Sequence, residues 1–215
     1  QKEGVAEKLW EESPSAACQF RYLRDTAWFP TWENADTRYF SSGEAYFEEL
    51  CRELKTARHY IFLEYFIIER GYMWETVLSI LEEKAKEGVE VRLLYDDIGS
   101  IWLLPRSYPK ELEEKGIQCR RFNPFRPVIS AIFNNRDHRK MTVIDGRTAF
   151  CGGLNLADEY INKKQRFGHW KDGGVRIRGD AVWSYTVMFL GMWNAMDHSD
   201  YDYEAYRART GPALS

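Results

Sequence analysis

The sequence predicts an α/β fold, with a mixed, largely parallel β-sheet sandwiched by helices. Two nearly continuous apolar runs, 59–68 and 89–95, have the character of strands buried on both faces. Helical patterns alternate with these runs through short connections, and a βαβα order brings strands side by side in parallel. The 215 residues, 44% hydrophobic and 15% aromatic, suit one substantial core and exclude a disordered chain.

In chain order, residues 2–12 carry Val5, Leu9 and Trp10 at helical spacing, and Pro14 stops that pattern. The aromatic stretch 21–32, with Trp28, Phe29 and Trp32 around Pro30, either packs on the domain or contacts a membrane. Residues 1–39 are therefore expected as a helix and aromatic segment packing on a main domain, 40–197, with 198–215 as a charged tail. Ser41 and Glu44 have capping-box spacing ahead of Phe47, Leu50, Cys51 and Leu54, predicting a helix that ends near Ala57. Glu64 interrupts the first apolar strand. A carboxylate there is costly to bury unpaired, so it meets a cation or forms a wall of a site cavity.

A helix over 75–86 places Val77, Leu78 and Leu81 inward and stops at Gly88. The strand 89–95 ends in Asp96-Asp97, at the strand end where such folds bind ligands, although a turn and helix cap is the slightly stronger reading of each carboxylate. An apolar knot at 101–105, a helix over 109–115 closed by Gly116 and a strand over 117–122 follow. The loop 123–135, NPFRPVISAIFNN, is more apolar than a solvent loop and suits either packing or a lipid substrate. Beyond 155, the pattern gives a helix over 156–162, a polar excursion over 163–169 that includes His169, and a half-exposed strand over 174–177. Asp180 caps a helix over 181–196, apolar nearly all round and read as a core helix rather than a membrane span.

Between these elements lies the stretch 138–155, HRKMTVIDGRTAFCGGLN. The β-branched run 141–144, the Asp145-Gly146 turn and a second strand to Cys151 predict a hairpin. Residues two apart on a strand share a face, so His138 and Lys140 are presented together. The Gly152-Gly153 pair permits close backbone approach, and Asn155 adds an amide donor. An imidazole, a fixed cation and a neutral donor meeting at one point suit a phosphate whose ester is to be broken.

The net charge of −3 lacks the basic balance of a general nucleic-acid binder. Locally, Arg120, Arg121, Arg126, Arg136, Arg139, Lys140 and Arg147 face only Asp137 and Asp145, a stretch that draws an anionic substrate or is a solvated surface. Cys18, Cys51, Cys119 and Cys151 form no metal-spaced pair or disulfide framework. No apolar run reaches 18 residues.

The spacing H-x-K-x4-D-x6-G-[GS]-x-N, with every position filled, resembles the HKD motif of the phospholipase D superfamily. Its longer context, NRDHRKMTVIDGRTAFCGGLNLADEYI followed by HWKDGGVRIRGDAV, with YIFLEYFII and VRLLYDDIGS upstream, resembles the first of the two HKD halves of bacterial cardiolipin synthases. The resemblance implies that His138 is a catalytic imidazole, as nucleophile, forming a phosphohistidine. It implies that Lys140 and Asn155 bind phosphate oxygens beside the Gly153 backbone. Asp145 belongs to the catalytic motif and reads as the member that ties the hairpin down; Asp172 is the candidate that orients the His138 ring. No metal or cofactor is implied. The implied substrate is an anionic phospholipid, phosphatidylglycerol, converted to cardiolipin at the cytoplasmic side of a bacterial cell membrane, with no nucleic acid partner. A second HKD half is expected either in a longer, membrane-anchored parent or from a homodimer, and a single-motif phospholipase or nuclease or a non-catalytic lipid-binding module are the competing readings.

Overall fold

The computed structural model describes residues 4–33, 35–125, 135–197 and 202–208. A seven-stranded sheet in the order β1-β7-β6-β5-β2-β3-β4 forms its centre. The strands are β1 (Ala35–Phe40), β2 (Tyr60–Tyr65), β3 (Glu90–Asp96), β4 (Ile117–Phe122), β5 (Lys140–Ile144), β6 (Thr148–Gly152) and β7 (Gly174–Gly179). The sheet is mixed and flanked by helices, as expected. Its parallel part is confined to β2-β3-β4, because only here are neighbouring strands joined by helical crossovers. The other four pairings are antiparallel, which corrects the expectation of a largely parallel sheet.

Alternation along the strands separates two apolar layers. Ile61, Leu63, Val91 and Leu93 pack with helices α3 (Gly43–Leu54) and α4 (Tyr72–Lys86) on one face. Tyr60, Phe62, Leu94, Met141 and Val143 pack on the other with Phe189, Leu190 and Trp193 of α7 (Val182–Asp197). Tyr206 of α8 (Tyr203–Ala208) joins the second layer, so part of the expected tail is folded onto the domain. Residues 198–201 and 209–215 lie outside the described residues, as does most of the 123–135 loop, including Arg126. No helix among the described residues is long and apolar enough to cross a membrane.

The amino-terminal segment differs most from expectation. Helix α1 (Val5–Glu12) ends ahead of Pro14 as expected, but the proline, which suits the first turn of a helix, also begins a second one, α2 (Pro14–Ala27). The aromatic rings divide: Trp28 is 89% exposed and Tyr22 and Phe29 are also exposed, whereas Trp32 is half-buried. Trp32 ties the segment down by donating from Nε1 to Ser184 Oγ at 2.9 Å. Strand β1, unforeseen in its polar ADTRYF sequence, adds to the sheet edge by pairing with β7, so the sheet begins at Ala35. The helix expected over 156–162 is a 3-10 turn, Asp158–Ile161, closed by Asn162 in the left-handed region.

Candidate active site

Strand direction collects the motif at one edge of the sheet. The carboxyl ends of parallel β2 and β3 lie together there, where α/β sheets bind ligands. Strand β5 runs against β2, so its amino end, with Lys140 opposite Tyr65, meets that edge. Strand β6 runs against β5 and delivers Gly152 and Gly153; β7 runs against β6 and starts from Asp172 at the same edge, with Gly152 opposite Gly174. His138, Lys140, Gly153, Asn155 and Asp172 are therefore brought together by topology alone.

His138 is exposed, and its ring lies 4.8 Å from the Phe66 ring at 57°. Lys140 is 5% exposed, with Nζ 5.2 Å from the Phe66 ring and donating to the His138 carbonyl at 2.5 Å. Burial pushes its ammonium down to about 8, against the upward pull of Asp137 and Asp172. A cation held in so dry a place gains most from an incoming anion. Asn155 is buried; its Oδ1 accepts from Ile67 N at 2.9 Å and its Nδ2 donates to Tyr160 Oη at 2.6 Å, which leaves one amide hydrogen for a ligand. Asp172 accepts from Gly173 N at 2.8 Å and from Trp170 Nε1 at 3.4 Å. Its carboxylate lies against Gly153, where an added Cβ would come 2.1 Å from Oδ1. No hydrogen bond joins Asp172 to His138 among the described residues; its charge pulls on Lys140 and its carboxylate lies against Gly153.

Two expected site residues lie elsewhere. Asp145 sits at the opposite end of β5, about 17 Å from Lys140 at strand rise. Both its oxygens are taken: Oδ1 accepts from His59 N at 2.7 Å and Tyr60 N at 2.9 Å, and Oδ2 from Arg58 N at 2.8 Å. It anchors the hairpin turn to β2 and touches no part of the site. Glu64 is fully buried but pairs with Met141, not Lys140, and so projects onto the opposite face of the sheet. It is no wall of the site; it meets a cation, Arg139, whose Nη1 donates to Oε1 at 3.2 Å. Burial foremost, then the adjacent Asp137, raises the Glu64 carboxyl to about 10, so it is neutral at pH 7.

Asp96 has both meanings open to it in the sequence. It caps α5 (Asp97–Ser100) by accepting from Gly99 N at 3.0 Å, and at the site edge it accepts from Asp137 N at 3.1 Å and Arg136 Nη1 at 3.2 Å. The segment carrying His138 is thus held from behind. Sequence reasoning missed Phe66, Tyr160 and Trp170. Phe66 follows β2 directly, so its place at a carboxyl strand end was the available signal.

Comparison with known proteins agrees with this geometry. The family described as cardiolipin synthase, PLD-like domain, matches residues 50–167. A cardiolipin synthase of a Geobacillus species is 44% identical over 75% of this chain and 32% of its own length. A Staphylococcus aureus cardiolipin synthase is 39% identical over 84% of this chain and 37% of its own. The chain thus spans about a third of these curated relatives. In fold it is similar to the phospholipase D family member Nuc from Salmonella typhimurium, with TM-score 0.54 at 17% identity over 75% of this chain and 94% of that one. It is also similar to phosphatidylserine synthase from Haemophilus influenzae, with TM-score 0.58 at 12% identity over 81% and 42%. The chain belongs to the cardiolipin synthase, PLD-like domain family of the phospholipase D superfamily.

Proposed function

We propose that this chain supplies one half of a phosphatidyltransferase site that makes cardiolipin from phosphatidylglycerol. The observation that carries the reading is the convergence of His138, Lys140, Gly153 and Asn155 at one sheet edge, around an exposed imidazole. In the proposed sequence a His138 nitrogen attacks phosphorus, the phosphorus–oxygen bond to glycerol breaks, and an acid on a second HKD half protonates the departing alkoxide. A hydroxyl of a second phosphatidylglycerol then attacks phosphorus as the phosphorus–nitrogen bond breaks, its proton passing to that same group on the second half, leaving cardiolipin and free His138. Lys140 and the Asn155 amide hold the phosphate oxygens as charge builds on them. The chain's own net charge of −3 lacks the basic balance of a general nucleic-acid binder.

Full-length protein carrying this chain, given phosphatidylglycerol, is expected to form cardiolipin and glycerol, and to lose this with His138→Ala. Phosphatidate as sole product would replace the reading with hydrolysis, and absence of product from a folded protein would overturn it. One observation favours a second reading, a homodimeric phosphodiesterase: the chain matches 94% of Nuc, so one such half can make up almost a whole chain. A dimer by light scattering with hydrolysis of a phosphodiester would support that alternative.

A further inference from the structure

We infer that the loop between Asn162 and Lys171 is a docking element for an anionic phospholipid bilayer, seated beside the candidate active site. The inference rests on the lipid reading above for its choice of partner. The loop is closed at its base by Asn162, whose Oδ1 accepts from Trp170 N at 2.7 Å and whose Nδ2 donates to Trp170 O at 3.1 Å. The Trp170 ring lies 5.1 Å from that of Tyr160, tilted by 59°, and donates to Asp172, so the base is continuous with the residues around Gly153 and Asn155. From that fixed base the chain reverses at Gly168, with φ of 96°, and holds Phe167 out 75% exposed.

The charge of the loop is one-sided. NKKQRFGHWK contains Lys163, Lys164, Arg166 and Lys171 and no carboxylate, in a chain whose net charge is negative. Lys164 and Arg166 lean on Glu69 and Glu159 at 2.6 and 3.2 Å. Lys163 lies 4.8 Å over the ring of Tyr72, itself 54% exposed, and Lys171 is exposed with no ion pair among the described residues. A largely exposed apolar ring, 6.2 Å from the Trp170 ring and with the Arg166 guanidinium 5.3 Å over it, beside ammonium groups without ion pairs among the described residues, complements an anionic membrane surface, the ring entering the interface and the lysines meeting headgroup phosphates. Docked there, the loop would set the adjacent phosphate site at headgroup depth.

The test is sedimentation of the chain with vesicles of phosphatidylcholine, alone or mixed with phosphatidylserine. Neither lipid is the proposed substrate, so binding is read without turnover, and a failure here leaves the product assay to judge the transfer reading. Binding is expected only with phosphatidylserine and should weaken with salt. Phe167→Ala should weaken it about tenfold, and Lys163→Ala with Lys171→Ala about fivefold for each charge. Trp28→Ala, the exposed aromatic of the amino-terminal segment, should leave it unchanged. The inference is overturned if the wild-type chain ignores the vesicles, if Trp28→Ala and not Phe167→Ala abolishes binding, or if the loop variants impair binding to a single-stranded oligonucleotide instead.

Discussion

Replacing Asp145 by alanine separates the structural from the chemical members of the motif. The carboxylate receives three backbone N–H groups within 2.7–2.9 Å, from Arg58, His59 and Tyr60. Hydrogen bonds to a charged acceptor contribute about 1.5–3 kcal/mol each, but the amides of exposed Arg58 and His59 regain water when the acceptor goes, whereas buried Tyr60 does not. The residue also stands at φ of 52°, where alanine is strained by about 1 kcal/mol and asparagine is tolerated. Asp145→Ala should therefore cost about 4 kcal/mol, lowering the melting temperature by about 10 °C in a chain of this size. Asp145→Asn, which keeps one acceptor and the backbone preference, should cost about half of that. Urea denaturation of the chain measures both. An Asp145→Ala variant as stable as wild type but without turnover would refute the reasoning, because it would make Asp145 chemical despite its distance from Lys140.

Three further outcomes follow from the site. Because Lys140 loses its proton near pH 8, kcat/KM of the intact enzyme should fall as pH rises through about 8, and Lys140→Arg, which stays charged, should remove that limb wherever it retains turnover. Gly153→Ala should push the Asp172 carboxylate aside and cut turnover by about a hundredfold with little loss of melting temperature, since the glycine φ is not in the left-handed region. Glu64 binds its proton more tightly folded than unfolded, so its contribution to stability is full below the unfolded carboxyl range and declines as pH rises toward about 10. Glu64→Gln should keep the bond to Arg139, flatten that decline in denaturant titrations, and make the chain more stable than wild type at pH 8.

The hairpin, the two apolar strands and the helices α3, α4 and α7 were legible from long apolar runs or helical spacing between turn residues, although α3 is capped by Ser42 and not by Ser41. So was the convergence of the candidate residues: fixed spacing on two antiparallel strands brings His138, Lys140, Gly153 and Asn155 to a common edge. What sequence could not supply was the face and the end of the sheet. Glu64 and Lys140 are both polar interruptions of apolar strands, and only the register Tyr65↔Lys140 shows that they point to opposite sides. Asp145 shares the motif's spacing yet sits a full strand away. Strand β1 has no apolar signature because one sheet edge suffices to hold it, and α2 was obscured by reading Pro14 as a stop. Phe66 carried no motif; its role exists only once β2 and β5 are adjacent.

The central claim is that His138 takes the phosphatidyl group. The direct measurement is mass spectrometry of the His138 peptide from full-length protein quenched during turnover of phosphatidylglycerol. A phosphatidyl adduct on His138, absent in His138→Ala, is predicted; cardiolipin formed at an undiminished rate by His138→Ala, or an adduct on another residue of this chain, would contradict it.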